Sequence, residues 1–216
     1  MNINEEVHKN FCYGCGACKS VCPANAIQII EDRYGFLKAN VDKKKCIDCG
    51  KCVTSCPRLH NTFENLDNPK CYAAWSKDEI RSTTASGGIF SAIASDFLDK
   101  EDYYVVGAVW KENYYVSHVV TNNKDDLSRI QNSKYVQSNT ENTYEIVRDL
   151  LKDGKKVLYS GCPCQIAGLY AFIGEKNDNL FTIDLICHGV PSTKILQKYL
   201  KDSYDCKEIK LLDFRD

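Results

Sequence analysis

Cysteine is the residue through which this chain can do chemistry. Cys12, Cys15, Cys18 and Cys22 precede Pro23 with the spacing C-x2-C-x2-C-x3-C-P. Cys46, Cys49, Cys52 and Cys56 repeat it before Pro57, 34 residues later. Identical offsets in an internal repeat mark a duplicated ligand set. The spacing is that of two 4Fe-4S clusters, in which three close cysteines wrap one cluster and the fourth reaches across to the other. It predicts Cys12, Cys15, Cys18 and Cys56 around a first cluster, and Cys46, Cys49, Cys52 and Cys22 around a second. Gly14, Gly16, Ala17 and Gly50 are small enough to let backbone amides approach inorganic sulfur. The plainer alternative, structural zinc, usually takes two separated C-x2-C pairs, not four cysteines within 11 residues, twice over. Paired clusters carry electrons but are not by themselves a catalyst.

More chemistry lies further along. Residues 160–168 read SGCPCQIAG, so Cys162 and Cys164 follow the apolar run Val157–Tyr159, and Cys187-His188-Gly189 follows a second such run. Both places are predicted at the C-terminal ends of neighbouring parallel strands, where open α/β sheets bind ligands. Cys164 and Cys187 can therefore converge on one metal site, or they can be small buried hydrophobes. His188 can bind, donate a proton or simply end a strand. Cys71 and Cys206, in strands away from glycine loops, read as buried residues. Thr83-Thr84-Ala85-Ser86-Gly87-Gly88 precedes a helix, and amides at a helix N-terminus suit phosphate; Ser86 can equally be a plain N-cap. Residues 132–138 (NSKYVQS) form a polar loop with one cation and one aromatic ring.

The elements that must position these residues follow from pattern. The N-terminal run is followed by Ile27–Ile30 and Phe36–Ala39, a hairpin around Asp32-Arg33-Tyr34-Gly35. Residues 58–70 are polar and aperiodic and read as a linker. Beyond them the pattern predicts a strand at Lys70–Ser76. A helix over 86–98 places Ile89, Phe90, Ile93 and Phe97 on one face. Strands follow at Tyr103–Trp110 and Tyr114–Thr121, then a helix at Thr140–Lys152 with a threonine cap and Gly154 at its end. Strand and helix then alternate: Lys156–Ser160, Gln165–Ile173, Leu180–Ile186, Ser192–Ser203 and Lys207–Phe214. The fold class is α+β: a small two-cluster domain (1–60), a linker (61–70) and an α/β domain (71–216) with a mixed, partly parallel sheet.

Composition narrows the class of function. Among 216 residues there are 13 cysteines, 28 basic and 29 acidic side chains, for a net charge of −1. That balance gives no nucleic-acid footprint. The N-terminus has no apolar h-region and no run approaches a membrane span, so a reducing, cytoplasmic compartment follows. There, clustered cysteines bind metal or do redox chemistry. The chain stops at Asp216, inside or just after a strand, so the α/β domain is expected to be incomplete.

Together, TTASGGIFSAIA, NSKYVQSN, VLYSGCPCQIAGL and LICHGVPS, with the N-terminal cysteine runs, resemble one family. It is that of the beta subunit of deazaflavin (coenzyme F-420) hydrogenase and formate dehydrogenase, including members with an N-terminal two-cluster ferredoxin module. Plant 7-hydroxymethyl chlorophyll a reductase belongs to the same group. The resemblance implies an FAD- and iron–sulfur-dependent oxidoreductase that relays electrons between 4Fe-4S clusters and FAD, for an organic acceptor such as a deazaflavin. It implies Ser86, Gly87 and Gly88 at the FAD phosphates, and Lys134 and Tyr135 at the flavin nucleotide. It also implies Cys164 and Cys187 as ligands of a third 4Fe-4S cluster whose other two ligands lie further along than Asp216. Relatives commonly carry threonine where this chain has Cys162. Partners would be a redox protein or other hydrogenase or dehydrogenase subunits. The alternative is a non-enzymatic, ferredoxin-like electron-transfer subunit whose α/β part only docks. No catalytic residue is assigned.

Overall fold

The computed structural model describes residues 1–7, 11–60, 67–204, 209, 212 and 214. The N-terminal part is built on its cysteines. Helix α1 (Ile3–Glu6) starts with a capping box, the Asn2 side chain accepting from the helix while Glu5 reaches back to the Asn2 backbone. Helix α2 (Ala17–Ser20) stops before Cys22-Pro23. Strands β1 (Ile27–Glu31) and β2 (Leu37–Val41) pair antiparallel, with Ile27 opposite Val41. Helix α3 (Lys51–Thr54) stops before Cys56-Pro57 in the same way. Ile3, Val7, Ile27, Ala39, Val53 and the buried Cys18 and Cys52 form the core here.

The larger part follows helix α4 (Asp78–Arg81) and helix α5 (Ile89–Leu98). Its sheet comprises β3 (Tyr103–Trp110), β4 (Val116–Thr121), β5 (Ser138–Asn139), β6 (Lys156–Gly161) and β7 (Leu180–Asp184), in the order β5-β4-β3-β6-β7. β3, β6 and β7 are parallel; β4 runs antiparallel to β3 and pairs in parallel with β5. The sheet is therefore mixed and partly parallel, as the alternation of elements predicts. Helices α6 (Leu127–Ile130), α7 (Thr143–Lys152), α8 (Pro163–Ile173) and α9 (Thr193–Ser203) complete it. Side chains alternate between its faces. Val105, Val109 and Leu158 pack with α5 and α6 on one face. Val106, Val157 and Tyr159 pack with α7 and α8 on the other.

Several sequence expectations are corrected. Lys70–Ser76 is not a strand: Tyr72 and Trp75 are 80% and 68% exposed, and only Ser76 N–H ties the segment down, to Gly87 O at 2.7 Å. With no sheet edge beside it, extended chain has nothing to pair with. Helix α5 buries Ser91, Ala94, Phe97 and Leu98, while Ile89 and Ile93 are exposed; the small residues let it sit close to β3. Its N-cap is Gly88, not Ser86. Helix α7 starts after Asn142, which makes no side-chain cap, so Thr140 is not its N-cap. Strand β4 begins at Val116 after a short turn at Glu112–Tyr114, and β7 ends at Asp184. Cys71 is exposed, not buried. Cys206 and residues 61–66 lie outside the described residues. Lys207–Phe214 does so in large part, and none of its described residues is in a strand.

Candidate functional site

The two cysteine runs enclose two separate spaces. Cys12, Cys15, Cys18 and Cys56 line a pocket walled by Ile3, Val7 and Ile29. Cys22, Cys46, Cys49 and Cys52 line another, with Met1 and Ile47 at its rim. Among the described residues, no three His, Cys, Asp or Glu side chains converge tightly enough for a single metal ion. Each set of four lines one space, as four ligands of one cluster would. Burial pushes the Cys15 thiol up to about 12 and Cys18 well above its ordinary value, with neighbouring thiolates adding to it. Iron binding would take up these thiols as thiolates, with release of their protons.

The first run is held against helices and loops of the α/β part. The Tyr144 hydroxyl, fully buried on α7, lies 2.7 Å from both the Cys15 and the Gln165 carbonyl oxygens, and its one proton can go to either. Thr140 Oγ1 donates to Cys15 O at 3.2 Å. The Gln137 amide bridges the same loop to the hairpin, accepting from Leu37 N–H at 2.7 Å and donating to Tyr13 O at 3.1 Å. Gly168, on α8, leaves room for Cys15: a Cβ there would stand 3.2 Å from the Cys15 sulfur. Gly16 adopts φ +88°, and a Cβ on it would overlap Thr140 Oγ1. Elsewhere along the seam, Ser192 Oγ donates to Tyr34 O at 2.6 Å and Lys19 Nζ to Glu141 O at 2.9 Å. Gln137, Gly168 and Ser192 fall within NSKYVQSN, VLYSGCPCQIAGL and LICHGVPS, while Thr140 and Tyr144 lie in none of the quoted stretches. Gly168 alone stands out in the sequence, as a glycine inside a helical run.

Cys162 and Cys164 sit at the turn from β6 into α8, with Pro163 as the first helical residue. Cys162 is the N-cap; its side chain accepts from the helix while the Gln165 side chain accepts from Cys162 N–H at 3.0 Å. Gln165 also donates to Ser138 O at 3.1 Å, tying β5 to the turn. Cys187 lies just beyond parallel β7, exposed, with Gly189 N–H 3.4 Å from its sulfur. Burial, then the charges of Cys15 and Cys187, push Cys164 up to about 12. Cys162 also rises to about 12, through burial and then through Cys187 and Cys164. The three thiols thus share one edge, with Cys15 across the seam. His188 is exposed.

The two polar loops also meet. Ala85 N–H donates to Asn132 Oδ1 at 2.8 Å, and Gln131 Nε2 to Thr83 O at 3.1 Å. Ser86 is exposed at φ +62°, and Gly88 opens α5 at φ +69°. Beside Gly88 lies Ser76 Oγ, buried and without a hydrogen-bond partner. Lys134 Nζ donates to Arg129 O at 2.8 Å and Gln131 O at 2.7 Å, holding the end of α6. Tyr135 meets the Phe214 ring edge-on at 5.4 Å between centroids.

Comparison with known proteins agrees with this layout. Residues 11–59 match the profile of a 4Fe-4S dicluster domain. Residues 71–144 match the N-terminal region of the coenzyme F420 hydrogenase/dehydrogenase beta subunit, and residues 154–216 match its C terminus. An F(420)H(2) dehydrogenase subunit of Methanosarcina mazei is 26% identical over 215 residues, covering 92% of this chain and 61% of that protein. The coenzyme F420-dependent sulfite reductase of Methanocaldococcus jannaschii is 29% identical over 171 residues, covering 77% of this chain and 26% of that protein. The chain thus spans less than two thirds of the length of these curated relatives. A chain of the xenon-derivatised F420-reducing (NiFe) hydrogenase complex from Methanosarcina barkeri superposes with a TM-score of 0.46 at 22% identity, covering 60% of this chain and 47% of that one. No helix among the described residues is long and apolar enough to cross a membrane.

Proposed function

The chain belongs to the family of coenzyme F420 hydrogenase/dehydrogenase beta subunits, and from that premise we propose that it is an iron–sulfur flavoprotein component of an oxidoreductase. Electrons pass between two 4Fe-4S clusters and FAD, and so to or from an organic acceptor such as a deazaflavin. One observation supports this above the others. The Cys15 loop is fastened by Tyr144 and Thr140 to the edge that carries Cys164, so the ferredoxin-like part is docked onto the α/β part.

Cys12, Cys15, Cys18 and Cys56 would hold one cluster and Cys22, Cys46, Cys49 and Cys52 the other. Cys164 and Cys187 would be ligands of a third, with Cys162 beside them. The donor set fits FAD as well. The amides of the first turn of α5, Ser86, Gly87 and Gly88 offer donors to phosphate, and the orphaned Ser76 hydroxyl lies next to them. Lys134 holds the neighbouring loop in place, and Tyr135 offers an exposed ring. When bound, FAD couples a two-electron exchange with the organic molecule to single-electron exchange with clusters. The protein's part is to fix these groups relative to one another, with Cys18 and Cys52 buried and Cys49 and Cys187 exposed. Partner subunits of a larger hydrogenase or dehydrogenase assembly belong to the same proposal.

Iron, sulfide and flavin measured on anaerobically purified protein test it. The expected result is both clusters plus FAD, with the clusters bleached on adding a reduced deazaflavin. Fewer than about six irons per chain rejects the two-cluster assignment. Full iron with no FAD binding rejects the flavin and leaves the docking electron-transfer module.

A further inference from the structure

We infer that the two cysteine sets are not interchangeable: the first is the inner relay, and electrons enter and leave through the second, where an acidic one-electron carrier protein docks. The inference rests on the reading that both sets hold clusters. The first set has one side, that of Cys15, against the α/β part, while Tyr13 on its other side is 49% exposed. Cys15 O accepts from Tyr144 and Thr140, the Cys15 sulfur lies against Gly168, and Ala17 is fully buried. The second set is open. Cys49 is exposed, and Ile47 and Met1 at the cavity rim are 66% and 57% exposed. An exposed apolar rim around a cofactor space is a contact surface rather than a core.

The charge around that rim chooses the partner. Lys43, Lys44, Lys45 and Lys51 are all exposed, and among the described residues none of them forms an ion pair. Of the nearby acids, Asp48 and Glu5 are engaged by the N-terminal ammonium at 3.1 and 3.8 Å, Asp42 Oδ1 accepts from Lys44 N–H at 2.9 Å, and Glu6 is exposed. Four lysines beside an apolar spot favour an acidic protein. Complementary charge of this kind raises the encounter rate and makes it depend on salt.

The test uses the full chain with clusters verified by iron content and electron paramagnetic resonance. A reduced acidic bacterial ferredoxin serves as the protein donor, and the methyl viologen radical as a small donor that any cluster can meet. Stopped-flow bleaching gives the rates. Ile47→Glu, and a triple Lys43→Glu, Lys44→Glu, Lys45→Glu variant, are expected to slow reduction by the ferredoxin about tenfold. The wild-type rate should fall as salt rises. Ile186→Glu, at the rival entrance beside Cys187, should leave the ferredoxin rate within about twofold, and the viologen rate should hold in all variants. If Ile47→Glu loses iron, the triple variant, which touches only exposed lysines, decides the matter. Slowing by Ile186→Glu instead, or equal ferredoxin rates in every variant, overturns the inference while leaving the cluster reading intact. Wild-type protein without iron overturns both.

Discussion

The two cysteine repeats are the same local object placed in different surroundings. Gly16 and Gly50 both open their short helices with positive φ, +88° and +73°. Gly14 corresponds to Asp48, again both with positive φ, +71° and +51°. Around the first repeat each of these positions is crowded. A Cβ on Gly14 would overlap Leu37 O, and one on Gly16 would overlap Thr140 Oγ1. Around the second, a Cβ on Gly50 would meet only Met1 Cε at 3.9 Å, and Asp48 carries a full side chain toward solvent. Ala17 is buried; its counterpart Lys51 is exposed. Ligand geometry alone therefore tolerates an aspartate or a lysine in this loop. What demands glycine in the first repeat is the close approach of the hairpin at Leu37 and of the loop at Thr140.

Exchanging the repeats' residues is the sharpest way to break the comparison. Gly14→Asp should cost about 3 kcal/mol or more, because positive φ and overpacking act together. A drop in urea midpoint and the loss of about half the iron would show it. Gly168→Val comes next, at about 1–3 kcal/mol, since its Cβ would press the Cys15 sulfur at 3.2 Å and the Tyr144 hydroxyl at 3.0 Å. The expected readout is a changed resonance signal from one cluster with the other untouched. Tyr144→Phe removes the one hydroxyl proton shared between the Cys15 and Gln165 carbonyls, leaving Thr140 on Cys15 O, and should cost about 1 kcal/mol. Its signature is an altered reduction potential for the same single cluster; equal shifts in both clusters would count against the asymmetry. The smallest effect belongs to Asp48→Gly. It should leave both the iron content and the urea midpoint essentially where they are, because the exposed ion pair and the long Cys46 sulfur contact that are lost are weak and glycine relieves the positive φ.

Much of the fold was legible because its signals are local. The hairpin of β1 and β2, the parallel strands β6 and β7 and the helices α7 and α8 follow from periodicity and glycine punctuation. What misled was apolar sequence without a partner. Cys71, Tyr72 and Trp75 look like strand residues, yet no strand edge reaches them. Ile89 and Ile93 look like the buried face of α5, but Ser91 and Ala94 allow the closer approach and so take that place. Ser86 has the right chemistry for a cap, and Gly88 has the conformational freedom the turn needs.

The cysteine spacing by itself determined the chemistry: ligand positions three apart and a fourth beyond set which sulfurs can reach a common cluster, whatever surrounds them. The β6 and β7 runs likewise set where Cys164 and Cys187 come to lie, since strand ends are read from hydrophobic pattern and turn residues. Only the tertiary structure decided which repeat faces inward. That choice rests on contacts between residues far apart in the chain, from Leu37 to Gln137 and from Cys15 to Thr140 and Tyr144. Such contacts leave no period or motif, because each needs only one hydroxyl, one amide or one missing side chain at a point where two separately folded surfaces meet.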